Sequence, residues 1–263
     1  MVRTDLSSVT EAFRGRAGTA GLFFDFDGTL SEIVEDPASA RPVEGAATLL
    51  AELAADFGRV AVLSGRPLDF IAGFFGPPVA LAGLYGLESQ DDRGRRVDHP
   101  QSGAWREVVD DVAACCVAKG PEGVLVEPKG LSLTLHFREH PEIADEVRAL
   151  AESQAARSGL EVRPAKMSYE LHPPIDADKG TAVRQLAKGL DLVLFVGDDV
   201  GDLPAFEALE ALEAAGVETV RVVVDSDELA PELAARADLV LPNPAGVVSL
   251  LRSLAEGTRR QAS

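Results

Sequence analysis

Short apolar runs alternate with amphipathic stretches in the first part of the chain. A continuous apolar run at Gly21–Phe26 indicates a buried strand, and Val60–Leu63 and the glycine-containing segment Val79–Glu88 indicate two more. Between these runs, apolar residues recur at helical spacing in Pro42–Phe57 and Leu68–Phe75. This β-α-β-α-β series predicts a Rossmann-like α/β domain with a parallel sheet and right-handed crossover connections.

The pattern changes in the middle of the chain, where pairs of strands follow single helices. Leu131, Leu133, Leu135 and Phe137 alternate with polar residues, which is the period of a half-buried strand. The predicted elements are a helix at Ala104–Val117, strands at Gly123–Val126 and Leu131–Phe137, a helix at Glu142–Arg157, and strands at Leu160–Arg163 and Lys166–Leu171. This αββαββ order predicts an antiparallel sheet with two helices.

The first pattern returns after Pro173 and Pro174. The predicted elements are a helix at Lys179–Lys188, a buried strand at Leu192–Val196, a helix at Pro204–Ala215, strands at Val220–Val224 and Leu239–Leu241, and a helix at Ala245–Ala255. One α/β domain is therefore interrupted by a smaller one. We predict a core domain of residues 1–100 and 173–263, and an inserted α+β domain of residues 101–172.

Composition narrows the class of protein. The 263 residues include 43 acidic and 25 basic side chains, and the resulting net charge of −18 disfavours nucleic acid and anionic membranes as partners. No apolar run approaches the roughly 18 residues that a membrane span needs, and the N-terminal segment lacks the apolar run of a signal peptide. The two cysteines, Cys115 and Cys116, are adjacent and cannot form a disulfide framework. We therefore expect a cytoplasmic monomer that binds a small molecule.

Reactive residues lie at the carboxyl ends of the predicted core strands, where open parallel sheets bind their ligands. The first strand ends at Asp25 and Asp27, the second at Ser64, and a later strand at Asp198, while Lys179 begins the helix before that later strand. Crowded carboxylates suit a hard cation such as Mg²⁺, and a metal, a lysine and a hydroxyl together suit a phosphoryl group. One carboxylate of an Asp-x-Asp pair can form an aspartyl-phosphate, and the other can serve as general acid and base.

Each of these motifs also has an ordinary structural explanation. Asp-x-Asp-Gly is often a turn or a helix cap, and Ser64-Gly65-Arg66 is typical of a turn. Lys179 could be a solvated residue at a helix start, and Asp198 with Asp199 could cap the next helix. The chemical interpretation is favoured because all four motifs occur in order at strand ends or helix starts of one predicted sheet.

The motifs resemble those of the haloacid dehalogenase-type phosphatases. The runs DFDGTL and GDDVGD, together with Ser64 and Lys179, match the four motifs of that superfamily in order. The αββαββ insert between the second and third motifs resembles the cap domain of its sugar-phosphatase branch. Within that branch the sequence is most similar to the trehalose-6-phosphate phosphatase family, through four runs: VLSGRPL (Val62–Leu68), AGLYGLE (Ala82–Glu88), EPKGLSLTLHFR (Glu127–Arg138) and KMSYELHPPIDADKG (Lys166–Gly180).

The resemblance implies roles for the acidic residues and a cofactor. Asp25 is the implied nucleophile and a metal ligand, and Asp27 is the implied general acid and base, with its main-chain carbonyl on the metal. Asp198 completes the implied protein ligands, with Asp199 or Asp202 behind it. The implied metal ion is Mg²⁺.

The resemblance also implies how a sugar phosphate is held. Ser64 and Lys179 bind the phosphate, with Arg66 as a further phosphate-binding candidate close by. The residues expected to hydrogen-bond the disaccharide hydroxyls are Glu88, Lys129 and Glu170. Glu88 and Glu170 could instead face solvent from a strand, and Lys129 could lie in a turn.

The implied activity is the hydrolysis of trehalose 6-phosphate to trehalose and phosphate. A phosphatase of the same cap class acting on sucrose phosphate, or on a glucosyl- or mannosyl-glycerate phosphate, is the nearest alternative. A non-catalytic domain that binds the sugar phosphate is disfavoured because Asp25, Asp27, Asp198 and Lys179 are all present. A nucleotide-binding protein is disfavoured because the sequence has no GxxxxGK[ST] phosphate loop.

One motif departs from the family pattern. The last motif more often continues with threonine and acidic residues, whereas this chain reads Val200-Gly201-Asp202-Leu203-Pro204. The changes at Gly201, Leu203 and Pro204 remove polar groups from the surroundings of the implied metal, which puts its affinity and its helper residues in question.

Overall fold

The chain forms two compact units. The computed structural model describes residues 5–34, 36–97, 99–165, 167–226, 229 and 231–259. One unit comprises residues 1–97 and 177–263, and the other comprises residues 98–176. The boundaries predicted from sequence lie between residues 100 and 101 and between 172 and 173. Lys166, where a strand was predicted to begin, lies outside the described residues.

A seven-stranded sheet forms the centre of the first unit. Numbered along the chain, its strands are β1 (Ala20–Phe24), β2 (Arg59–Leu63), β3 (Ala80–Gly83), β4 (Glu88–Gln90), β9 (Leu192–Gly197), β10 (Glu218–Val224) and β11 (Leu239–Leu241). They lie in the order β11-β10-β9-β1-β2-β3-β4, and every neighbouring pair is parallel except β3 with β4. All five residues of β1 are buried, as expected for a central strand covered on both faces.

Helices cover both faces of this sheet. They are α1 (Leu6–Ala12), α2 (Ala46–Leu53), α3 (Leu68–Ala72), α6 (Lys179–Leu186), α7 (Leu203–Ala214), α8 (Pro231–Arg236) and α9 (Pro244–Arg259). Leu50 of α2 and Leu251 of α9 belong to the apolar core on one face, and Val183 of α6 and Phe206 of α7 belong to the core on the other. This layered parallel sheet confirms the predicted Rossmann-like core.

The segment Val79–Glu88, predicted as one strand, is instead β3 and β4 joined by a turn at Leu84–Gly86. Leu84, Tyr85 and Gly86 have φ values of +48°, +59° and +101°, so three consecutive residues lie in the left-handed region. Such a turn reverses the chain, and β4 therefore pairs antiparallel with β3. Apolar periodicity could not predict it, because hydrophobicity carries no information about the sign of φ.

The second unit has the predicted αββαββ order. Its elements are α4 (Arg106–Lys119), β5 (Leu125–Pro128), β6 (Leu133–His136), α5 (Ala144–Ser158), β7 (Glu161–Ala165) and β8 (Ser168–His172). The four strands form an antiparallel sheet in the order β5-β6-β8-β7. Leu133, Leu135 and Leu171 pack with Val109 of α4 and Val147 of α5 in a separate apolar core. The inserted α+β domain is therefore confirmed as a fold of its own.

Two helices of the first unit were not predicted. α1 has the mostly polar sequence LSSVTEA and buries only Val9, so its apolar pattern is too weak to recognise. α8 is six residues long, which is less than two helical turns. Among the described residues, no helix combines the length and the apolar character required to cross a membrane.

Candidate active site

Adjacent strands bring three of the four motifs to one edge of the seven-stranded sheet. Asp25 follows β1, Ser64 follows β2 and Asp198 follows β9, and these three strands are neighbours in the order β9-β1-β2. The ladder continues just past the strands, because the Asp25 amide donates to the Val196 carbonyl over 2.9 Å. Parallel pairing therefore fixes the backbone positions of these three residues. The strands that pair are formed by the apolar runs of the sequence.

Lys179 connects two buried carboxylates. Its Nζ donates to Oδ1 of Asp25 and to Oδ1 of Asp202, each over 2.6 Å, and all three residues are buried. Lys179 is the first residue of α6, where the helix dipole disfavours a cation. Asp178 begins that helix with a capping box to Thr181, so the helix start does not depend on the lysine side chain. Carboxylate partners offset the cost of burying an ammonium at such a place.

Three buried carboxylates converge beside Lys179. Asp25, Asp198 and Asp202 each offer an oxygen, and these oxygens lie within 4.8 Å of one another. Oδ2 of Asp202 accepts from the amide of Asp198 over 2.9 Å, which holds the two residues together. Asp199, the other residue expected behind Asp198, accepts from the amide of Gly201 over 2.8 Å and caps the turn at residues 200–202. Of the two residues expected behind Asp198, Asp202 therefore joins the cluster.

Two glycines leave room for the carboxylates. Gly28 has a φ of +76°, and a Cβ there would lie 2.0 Å from Oδ2 of Asp198. A Cβ at Gly197 would lie 2.3 Å from Oδ2 of Asp202. Both glycines are therefore required by close approach to the acidic cluster, and Gly28 also by its backbone conformation.

Burial and charge set the protonation of the cluster. Burial raises the pKa of the Asp25 carboxyl well above its usual range, the Lys179 ammonium counteracts this, and the carboxylates of Asp202 and Asp198 add to it. Burial lowers the pKa of Lys179, but Asp202 and Asp25 reverse that effect and hold its pKa well above the usual range. The ammonium is therefore charged at neutral pH, and the carboxylates around it outnumber it.

This donor set fits a hard divalent cation. Asp25, Asp198 and Asp202 offer only oxygen atoms, which Mg²⁺ and Ca²⁺ prefer over the nitrogen and sulfur ligands typical of zinc. One ammonium does not neutralise three buried carboxylates, so the cluster has the charge and the ligand chemistry to hold such an ion.

The unusual residues of the last motif have structural roles. Leu203 and Pro204 begin α7, and proline is favoured in the first turn of a helix because its missing N–H would have no partner there. A Cβ at Gly180 would lie 2.3 Å from the Pro204 carbonyl oxygen, so α6 and α7 approach closely at this point. Leu203 and Pro204 therefore form the start of α7 next to the cluster, and Asp202 remains part of that cluster.

Asp27 and Arg66 form a pair that the sequence did not predict. The Arg66 guanidinium donates from Nε to Oδ2 of Asp27 over 2.9 Å and from Nη2 to Oδ1 over 2.7 Å. The two residues come from the loops after β1 and β2, which are neighbouring strands. The expectation that Arg66 lies near the phosphate stays a prediction. Spacing along the chain could not predict the pair with Asp27, because it does not give the direction of a long side chain.

The turn at Leu84–Gly86 holds the loop that carries Ser64. The amides of Leu84 and Tyr85 donate to the carbonyls of Arg66 and Ser64, over 2.9 and 3.0 Å. A Cβ at Gly65 would lie 2.7 Å from the Tyr85 ring, so the turn and the loop are in close contact. Sequence analysis missed this role of Tyr85, although the AGLYGLE run marked the segment.

The residues expected to contact the sugar lie in different units. Glu88, in the first unit, accepts from the Leu68 amide over 3.0 Å and so occupies the start of α3. In the second unit, Nζ of Lys129 lies 3.7 Å from a carboxylate oxygen of Glu127. Glu170 is buried on β8 and accepts from the Ser132 hydroxyl over 2.7 Å. Each side chain thus has at least one partner within its own unit.

Known proteins resemble this chain in sequence and in fold. A trehalose-phosphate phosphatase of Mycobacterium ulcerans is 34% identical over 245 residues, which cover 89% of this chain and 61% of the relative. A trehalose-phosphate phosphatase of Mycobacterium avium is 33% identical over 277 residues, which cover 98% of this chain and 68% of that relative. The C-terminal domain of the trehalose-6-phosphate phosphatase of C. albicans has the same fold, with a TM-score of 0.77 and 23% identity over 97% of this chain and 98% of that one.

The family assignment rests on most of the sequence. This chain spans about 61% of the length of the first of these relatives, so the likeness concerns that part of the longer protein. A sequence model described as trehalose-phosphatase matches residues 23–240, a range that includes all four motifs and the whole second unit. The chain belongs to the trehalose-phosphatase family.

Proposed function

We propose that this chain hydrolyses trehalose 6-phosphate to trehalose and inorganic phosphate, with Mg²⁺ as cofactor and an aspartyl-phosphate on Asp25. The observation that carries the proposal is the buried Lys179 ammonium, 2.6 Å from both Asp25 and Asp202, beside a third carboxylate. Membership of the trehalose-phosphatase family and the curated relatives support the choice of substrate. We assign the catalytic core to residues 1–100 and 173–263 and the specificity cap to residues 101–172.

The first half of the reaction transfers the phosphoryl group to the protein. A carboxylate oxygen of Asp25 forms a bond to phosphorus, while the bond from phosphorus to the sugar oxygen breaks. Asp27 gives a proton to that leaving oxygen, which departs as a hydroxyl of trehalose. Ser64 and Lys179 bind the phosphoryl oxygens, and the ammonium balances part of their charge.

The second half regenerates the protein. Asp27 now takes a proton from a water molecule, whose oxygen attacks phosphorus as the bond to Asp25 breaks. Inorganic phosphate leaves, and Asp25 is a carboxylate again. Mg²⁺ bound by Asp25, the Asp27 carbonyl and Asp198, with Asp202 beside them, would neutralise charge on the phosphoryl oxygens.

The disaccharide contacts are proposed on separate grounds. Glu88, Lys129 and Glu170 carry charged groups that form strong hydrogen bonds to hydroxyls. The family resemblance of the runs that contain them supports this role. Within its own unit, Glu88 accepts from the Leu68 amide and Glu170 accepts from the Ser132 hydroxyl, and each bond limits the motion of that side chain.

The direct test is phosphate release from a panel of sugar phosphates with and without Mg²⁺. We expect turnover of trehalose 6-phosphate with Mg²⁺, loss of turnover in EDTA, and recovery when Mg²⁺ is restored. Ca²⁺ should bind but support poor turnover, because its larger and looser ligand shell misplaces the nucleophile. Full activity in metal-free buffer would contradict the metal assignment.

The same panel separates the alternatives. Preference for sucrose 6-phosphate or a glycosyl-glycerate phosphate would leave the proposed reaction unchanged but would show that the proposed substrate is wrong. Binding of trehalose 6-phosphate, seen by calorimetry, without release of phosphate in the presence of Mg²⁺ would mean a sugar-phosphate-binding domain instead.

A further inference from the structure

Arg66 lies against Asp27 and contacts several other parts of the first unit. Its Nε and Nη2 form the bidentate pair with the Asp27 carboxylate, and Nη1 donates to the Pro37 carbonyl over 2.8 Å. Its guanidinium carbon lies 4.9 Å from the centre of the Phe70 ring, within the range of a cation–π contact. Its amide donates to the Ser64 hydroxyl over 3.0 Å. The arginine therefore connects the loops after β1 and β2 with α3.

The two members of the pair differ in exposure. The Asp27 side chain is 39% exposed, whereas that of Arg66 is 14% exposed. An exposed aspartate alone can rotate about its side-chain bonds, whereas a carboxylate held by two parallel N–H groups has one orientation. The less exposed arginine, stacked on an aromatic ring, is the fixed partner of the two.

We infer that Arg66 is a positioning residue for Asp27, which it holds in one orientation, rather than a primary phosphate ligand. This inference rests on the proposed phosphatase function, in which Asp27 transfers protons to and from the reacting oxygens. Three of the guanidinium N–H groups donate to Asp27 and Pro37, and these contacts fix the orientation of the arginine. Through the Pro37 carbonyl, the turn at residues 37–39 helps to place the proton-transfer group.

Arg41 offers a matched control in the same region. Its guanidinium carbon lies 5.3 Å from the centre of the Phe74 ring, and its Nη1 donates to the carbonyls of Ala38 and Ala40 over 2.8 and 2.7 Å. Arg41 thus repeats the ring contact and the loop contacts of Arg66. Arg41 is exposed, whereas the Arg66 side chain is mostly buried, and none of the hydrogen bonds described for Arg41 reaches Asp27.

The first experiment compares kcat, KM and inhibition by inorganic phosphate for Arg66→Ala, Arg66→Lys and Arg41→Ala. A misplacement of about 1 Å at a reacting group can cost about a hundredfold in rate, so we expect kcat of Arg66→Ala on trehalose 6-phosphate to fall roughly ten- to a hundredfold. The inhibition constant of phosphate should stay within about threefold. Arg66→Lys should recover little, because an ammonium cannot form the bidentate pair. Arg41→Ala should keep kcat within about twofold.

The second experiment asks whether Arg66 acts through Asp27. In a double-mutant cycle, Arg66→Ala should reduce kcat little further once Asp27→Asn is present, because the group it orients is already lost. Equal losses in both backgrounds, or an inhibition constant of phosphate that rises in proportion to the loss, would overturn the inference. Circular dichroism and melting temperature confirm that each variant is folded. Wild type without turnover would refute the proposed function, whereas active wild type with unaffected Arg66→Ala would refute this inference alone.

Discussion

Asp25 lies in a buried site beside Lys179, Asp198 and Asp202, and the charges of these groups are not balanced. The carboxylates of Asp198 and Asp202 lie close to it, and Lys179 is the cation that bonds Asp25 directly. A protein that only needed stability would replace such a cluster with apolar residues, because buried charges are costly. The cluster is therefore best explained by the proposed chemistry, and stability is reduced at the place where the reaction occurs.

Replacement of the nucleophile should separate activity from stability. Asp25→Asn keeps the shape of the side chain but cannot form the covalent intermediate, so we expect turnover to fall below detection. The melting temperature should stay level or rise, because the pKa of Asp25 is raised by burial and the substitution removes a disfavoured charge. The measurements are phosphate release and thermal denaturation.

Asp225→Asn is the matched control for that variant. Asp225 follows β10, another strand of the same sheet, but is exposed. Its amide variant should keep normal turnover. Near-normal turnover of Asp25→Asn would instead remove Asp25 from the role of nucleophile.

Two threonine hydroxyls, one buried and one half-buried, should differ in how their removal affects stability. The Thr29 hydroxyl is buried and has no hydrogen-bond partner among the described residues, whereas Thr181 exchanges two hydrogen bonds with Asp178. We expect Thr29→Val to leave the melting temperature unchanged or raise it, because an unpaired buried hydroxyl costs about 1–3 kcal/mol. Thr181→Val should lose about 1 kcal/mol, the usual cost of a lost helix cap. The measurement is thermal denaturation of both variants without ligand. Equal losses of stability in Thr29→Val and Thr181→Val would contradict this prediction.

Sequence alone located most of the candidate site but not its internal contacts. Asp25, Ser64 and Asp198 could be placed together because apolar runs define strands and parallel strands align their carboxyl ends. The Arg66–Asp27 pair and the choice of Asp202 over Asp199 could not, because they depend on side-chain directions and on a single turn at residues 200–202.

At the level of elements, the segment from Leu84 to Gln90 supports the loop that carries Ser64. Its turn donates two amides to the carbonyls of Ser64 and Arg66, and Glu88 accepts from the start of α3. Pro67, the residue before α3, has no side-chain group that could cap the helix. Glu88, on β4, therefore supplies the acceptor for the first amide of α3, which Pro67 cannot supply.

We expect Glu88 to stabilise α3, in addition to forming any sugar contact. Glu88→Ala should lower the free energy of unfolding by about 1 kcal/mol, as for the loss of a helix-start acceptor. In a chain of this size, that corresponds to a melting temperature lower by about 2–4 °C. Glu88→Gln keeps an acceptor oxygen and should lose less than half as much. Equal melting temperatures for Glu88→Ala and wild type would show that the contact adds nothing.

Helices and strands of strong apolar period were predictable, whereas short or irregular elements were not. The central strands and α2, α6, α7 and α9 follow from continuous apolar runs and helical spacing. α1 and α8 are short and mostly polar on the surface, and the reversal between β3 and β4 depends on positive φ at Leu84 and Tyr85. Those features depend on tertiary contacts that the hydrophobic pattern does not record.

On the scale of the whole molecule, the two units divide the proposed tasks. The first unit contains the acidic cluster, Lys179 and Arg66, together with Glu88, and the second contains the other two proposed sugar contacts, Lys129 and Glu170. A generic aryl phosphate offers a phosphoryl group but no sugar hydroxyls. Reaction chemistry and sugar recognition can therefore be measured separately.

Variants of the second unit should affect one substrate more than the other. Lys129→Ala and Glu170→Ala should each lose roughly ten- to a hundredfold in kcat/KM for trehalose 6-phosphate, since a charged hydrogen bond contributes about 1.5–3 kcal/mol. Turnover of p-nitrophenyl phosphate should change little. Equal losses on both substrates would assign the residues to chemistry or fold, and no loss on either would place the disaccharide elsewhere.

Two further variants keep that comparison interpretable. Glu170 is buried, so Glu170→Gln preserves its volume and its acceptor for Ser132 if Glu170→Ala is unstable. Arg148, an exposed cation on α5 of the same unit, is the control for Lys129. Arg148→Ala should leave both substrates unaffected.

The central place of β1 in its sheet has a consequence for synthesis on the ribosome. β1 can pair with β2 early, but Ala20 lies opposite Leu192 of β9, which is made 192 − 20 = 172 residues later. At about 5–20 residues per second, that delay is about 9–34 s. During this interval the nascent chain carries an apolar strand with one unpaired edge, which other nascent chains and chaperones can bind. The inserted unit lengthens this interval, so the order of synthesis makes early association a greater hazard for this chain than its finished fold suggests.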